Sequence, residues 1–146
     1  MKLSDFDFRI WDKYHKGCSN KDCKCQSKFI YGEEAKVRLS EFKMDVEIDL
    51  WTGLYDKNGT KIYEGDIVCC STSQRKPLYY FITTNENINT FQIFVISDLE
   101  KFKICNEIDI NSFLFCDLSN LEDMMKLNSE VIGNIHNRQG ISKELK

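Results

Sequence analysis

The segment TGLYDKNGTKIYEGDIV, from Thr52 to Val68, constrains the fold more than any other part of the chain. It sets two tight reversals among strand-forming residues. In Asp56-Lys57-Asn58-Gly59, the aspartate side chain can accept hydrogen bonds from amides two residues on. Asn58 and Gly59 readily supply the positive φ that a short hairpin needs. The flanks TGLY and TKIY then pair across the turn. Glu64-Gly65-Asp66 makes a second bend, where Gly65 redirects the chain into the apolar run IVCC and Asp66 caps backbone amides. The competing reading is a carboxylate set for acid–base or metal chemistry. No nucleophile, positioned histidine or phosphate-cradling glycine loop accompanies these three acids, so they read as structural.

Strand signals dominate the rest. In DVEIDLW, from Asp45, Val46, Ile48 and Leu50 share one face and Asp45, Glu47 and Asp49 the other, the period of two of a half-buried strand. LYYFITT (78–84), FQIFVI (91–96), FKICNEI (102–108), SFLFC (112–116) and EVIGNIH (130–136) are short, aromatic or β-branched, and bounded by turn residues. ENINT (86–90) reads as the connection between two of them. Ser119 and Glu122 form a capping box, which predicts a helix from about Asn120 to Lys126. The expected architecture is mainly β: a small antiparallel, barrel-like sheet with one or two short helices.

With 146 residues, 42% hydrophobic, the chain is long enough to bury a core as one domain, 1–146. The amino terminus lacks a secretory apolar region and no run is long enough for a membrane span, so a soluble cytoplasmic protein is expected. Seven cysteines, an odd number, then read as free thiols rather than a disulfide framework, with Cys69, Cys105 and Cys116 as small core residues.

FRIWDK (8–13), TGLYDKNGTKIYEGDIV (52–68) and EVIGNIHN (130–137) resemble, in order and spacing, the three signature segments of the YopX family of phage and prophage proteins. The resemblance implies a mostly β domain encoded by a phage or prophage, and implies no known reaction. The chain departs from the family pattern in the cysteine-bearing insertion at about 15–27, and residues 71–118 do not align with the signature segments.

His15, Cys18, Cys23 and Cys25 offer ligand types suited to tetrahedral zinc. Their C-x-C spacing is awkward for one metal, and a lysine-rich loop of free thiols is the simpler account. The formal net charge of −3 argues against an undirected phosphate-binding surface but leaves room for a local basic patch. Arg75, Lys76, Tyr79 and Tyr80, with Lys101 and Lys103 on a nearby strand, would carry nucleic-acid binding. The aromatics among them, like Phe81, Phe91 and Phe94, are more simply core residues. The favoured expectation is a non-enzymatic accessory protein that binds a host or phage protein of defence or nucleic-acid processing. The acidic row Asp45, Glu47 and Asp49 is its candidate contact surface, unless that row is only a solvated strand face. An uncovered strand edge would also permit self-association.

Overall fold

The structure is a computed structural model, and it describes residues 7–12, 29–38, 40, 46–85, 90–105, 113–114 and 125–141. The chain divides into two compact units, Met1–Trp51 and Thr52–Lys146. As expected, it is mainly β. It has two antiparallel sheets, one of them a half-barrel, and few short helices.

In the first unit, β1 (Phe8–Trp11) is flanked by β2 (Phe29–Tyr31) and by the start of β3 (Glu47–Tyr55). Ile10 stands opposite both Ile30 and Ile48, and Phe8 opposite Leu50. Directly opposed residues share a face, so Phe8, Ile10 and Ile30 form one apolar surface, and Ala35 of α1 (Gly32–Arg38) packs against it. This helix has no counterpart in the sequence reading. Of its described side chains only Ala35 is fully buried, and Val37 is 76% exposed, so GEEAKVR carries no apolar stripe. Its local supports are Glu33 and Glu34 in the first turn, where the helix dipole favours negative charge.

In the second unit, β3 continues into the turn and returns as β4 (Lys61–Tyr63). β5 (Asp66–Thr72), β6 (Arg75–Asn85), β7 (Thr90–Ile96), β8 (Phe113–Leu114) and β9 (Ser129–Asn134) form a sheet of order β8-β7-β6-β5-β9. β5 is buried on both faces. Val68 and Cys70 pack with Leu54, Ile62, Ile82, Ile93 and Met125. Ile67 points to the other side and packs with Phe81, Phe94, Ile96, Leu99, Phe102 and Ile141. Cover on both sides is why IVCC reads as a continuous apolar run rather than an alternation. Each of these fully buried aliphatic side chains contributes roughly 1.5–3 kcal/mol of transfer free energy.

Residues 102–108, expected as a strand, begin in a helix. α2 runs from Leu99 to Ile104. Its cause is Asp98, whose Oδ1 accepts from Glu100 N at 3.1 Å and Lys101 N at 3.2 Å. Leu99 and Phe102, three apart, face the core, and the Phe102 ring lies 5.5 Å from that of Phe81. Ile104, which completes the misleading F-K-I alternation, is 76% exposed. The capping box at Ser119 and Glu122 lies outside the described residues, and residues 125–128 are helical, two positions beyond the predicted end. The connection 86–89 is likewise outside them, although β6 and β7 pair antiparallel up to Asn85 and Thr90, as a hairpin requires.

β9 carries a bulge: Ile67 faces Gly133 and Val68 faces Val131, leaving Ile132 as the extra residue. A Cβ on Gly133 would stand 2.8 Å from Ile141 Cγ1 and 3.2 Å from Asn137 Oδ1. Gly140 has nothing within 4 Å of the same position. Gly133→Ala must therefore displace a buried isoleucine, and we expect it to cost about 1–3 kcal/mol. Gly140→Ala serves as the control, with a near-unchanged urea midpoint, and equal midpoints for the two variants would contradict the packing.

Candidate functional site

The chemistry-bearing residues of the signature segments converge on backbone amides. Asp56, 2% exposed, accepts from Asn58 N and Thr60 N through Oδ1, each at 2.9 Å. Its Oδ2 accepts from Val131 N at 3.0 Å. Lys57 N donates to Ser129 O at 2.9 Å, and Lys57 Nζ lies 3.4 Å from Glu130 Oε2. The turn thus seals the outer edge of β9, which has no further strand beside it among the described residues. Gly59 holds φ +77°, as the Asn-Gly reading anticipates.

The second bend is built the same way. Asp66, 1% exposed, accepts from Tyr63 N through Oδ2 at 2.8 Å. Gly65, at φ +83°, donates to Ile82 O and accepts from Ile135 N. Glu64 Oε1 accepts from the Thr84 hydroxyl at 2.7 Å. After β9, Asn134 Oδ1 accepts from His136 N and Asn137 N. His136, expected within the last strand, belongs to this turn instead. These acceptors anchor loops to strands.

The described members of the acidic row differ in exposure. Asp45 lies outside the described residues and Glu47 is exposed, but Asp49 is only 6% exposed. Its Oδ2 accepts from Arg9 Nε at 2.8 Å, because Arg9 stands directly opposite it on β1. The Arg9 guanidinium also lies over the Phe29 ring, 4.4 Å from its centroid. The alternation assigned the faces of β3 correctly: Val46 and Leu50 pack against the cluster of Phe8, Ile10, Ile30 and Ala35, although Ile48 on the same face is 45% exposed.

His15, Cys18, Cys23 and Cys25 lie outside the described residues, as does Cys116. Among the described residues no group of three His, Cys, Asp or Glu could hold a metal, and no helix is long and apolar enough to cross a membrane. Cys69 and Cys70 are buried free thiols, while Cys105 is half-buried. Burial pushes the Cys70 thiol up to about 11, with neighbouring Cys69 adding to the effect. Burial also raises Cys69, helped by Glu130 and opposed by Lys57.

The candidate basic set is divided. Lys101 and Lys103 sit on α2 rather than on a strand, and Lys103 pairs with Glu100 at 3.1 Å. Tyr79 and Tyr80 are half-buried, whereas Arg75 and Lys76 are exposed near the end of the β5–β6 hairpin. The sequence reading missed that hairpin's form, although Ser73-Gln74 between two strand-forming runs was a usable turn signal.

A family model described as YopX protein matches residues 7–139. No curated protein matches the chain. Among solved structures, the crystal structure of protein EF1440 from Enterococcus faecalis is similar, with 22% sequence identity and a TM-score of 0.45. The match covers 94% of this chain and 98% of that one.

The buried thiols generate a direct expectation. With their proton affinity raised, Cys69 and Cys70 stay neutral at about pH 8 and resist alkylation by iodoacetamide in the folded protein. Peptide mapping after a short pulse should find both unmodified until denaturant is added, and native-state labelling would contradict their burial. A folded-state value above the ordinary 9.0 means the folded state retains protons that the unfolded chain releases. The stabilisation is therefore whole below about pH 9 and is lost as pH rises toward about 11.

Proposed function

The chain belongs to the YopX family, and on that premise we propose that it is a phage-type accessory protein that acts by binding a protein partner rather than by catalysis. The observation that carries this reading is the use made of Asp56 and Asp66: both are buried and bonded to backbone amides. A general base needs a lone pair within reach of a substrate proton, and these carboxylates direct theirs at the fold itself. The net charge of −3 favours a basic protein surface over phosphate as the partner. Of the acidic strand, Glu47 is the described member that offers an exposed charge for such a contact.

The test uses the protein as bait in a nuclease-treated lysate of its bacterial host. We expect a specific protein to be retained, and retention to weaken when Asp45→Lys and Glu47→Lys are combined. Asp49 is left intact because stranding Arg9 in a buried site would cost about 3–5 kcal/mol and confuse the result. Turnover in a hydrolase and nuclease screen, abolished by His136→Ala, would overturn the reading.

A further inference from the structure

Among the described residues, the far end of the β5–β6 hairpin is a two-stranded ribbon with no third strand beside it. β9 accompanies β5 only as far as Cys70, which pairs with Ser129. β7 accompanies β6 only from Tyr79, which pairs with Ile96. Between these limits β5 and β6 have, among the described residues, only each other as strand partners, with Thr72 opposite Arg75. Every residue from Ser71 to Leu78 is exposed. No described core cluster includes a residue from Ser71 to Leu78, so a structural role accounts poorly for the ribbon's length.

Three properties indicate what it meets. The first is charge. From Ile67 to Asn85 the only ionic side chains are Arg75 and Lys76, and neither is held in an ion pair among the described residues. Removing these two cations from a net charge of −3 leaves −5, so the ribbon is basic while the chain around it is acidic. The second is hydrogen-bonding capacity. Ser71, Thr72, Ser73 and Gln74 place hydroxyl and amide groups beside the cations, the side-chain types that bond phosphates and base edges. The third is shape. Two strands about 5 Å apart, extending by four residues at about 3.3 Å each, match a major groove about 12 Å wide and about 8.5 Å deep. Addition of a partner protein's strand is the competing use of such a ribbon. Pro77 counts against it, because it removes an N–H from β6 and blunts that edge.

We propose that the Ser71–Leu78 ribbon enters the groove of a nucleic-acid duplex, with Arg75 and Lys76 as its phosphate or base contacts. This goes beyond the protein-binding reading and is independent of it: a protein partner would be retained from nuclease-treated lysate whichever way the ribbon behaves. Two cations give a modest, strongly salt-sensitive contact with a log–log salt slope of about −2.

Fluorescence anisotropy with a short labelled duplex DNA, between about 50 and about 200 mM salt, tests this. We expect saturable binding at the lower salt that weakens with the stated slope. The double variant Arg75→Ala/Lys76→Ala should lose about tenfold or more in affinity and most of the slope. Its melting curve should match the parent's because both side chains are exposed, and Lys101→Ala on α2 should bind as the parent does. The inference is overturned if no binding occurs at low salt, or if the double variant keeps its affinity and slope. It is equally overturned if polyglutamate binds in place of DNA, which would assign the ribbon to an acidic protein surface.

Discussion

The carboxylate of Asp56 ties together two parts of the chain that lie 75 residues apart. One oxygen closes the turn by accepting from Asn58 and Thr60, and the other accepts from Val131 on β9. A buried carboxylate is costly unless its lone pairs are satisfied, so this one is stable only where turn and strand are both present. The bond therefore couples a local event to a distant one. The hairpin forms from its own turn chemistry, and its tip then closes the open edge of the five-stranded sheet.

The remaining signature residues extend the same logic. Gly65 takes the positive φ that lets the chain enter β5, while Asp66 caps Tyr63. Asn134 and Asn137 fold the segment after β9 back on itself. Gly133 leaves room for Ile141 to join the core. What the family resemblance carries is thus a means of building a fold. The exposed ribbon lies between the signature segments, within the span that the family model matches.

Much of this architecture was legible because its determinants are local. Asp-Lys-Asn-Gly names its own turn, and the runs at 78–84, 91–96 and 130–136 carry strand-forming residues bounded by breakers. Two helices were not legible. α1 buries a single alanine side chain fully, and α2 presents Phe102 and Ile104 in a false alternation while Asp98 decides its start. The burial of Asp49 was not legible for a different reason. Alternation reveals which residues share a face, but whether a given charge on that face meets water depends on what the partner strand sets opposite it. Arg9, 40 residues away, decided the fate of Asp49.

The most direct test of the account is amide hydrogen exchange of Asp56→Asn beside the parent protein. The substitution keeps size and shape but replaces one acceptor oxygen with an NH2 donor. If the amide oxygen keeps the turn bonds, the NH2 group faces Val131 N–H and can no longer accept from it. The account predicts a lowered unfolding midpoint and at least about tenfold faster exchange at Val131, a loss of about 1.4 kcal/mol of protection. Amides in the β6–β7 ladder should change only as much as global stability does. Unchanged protection at Val131 with an unchanged midpoint would contradict the claim that the signature carboxylates serve the fold.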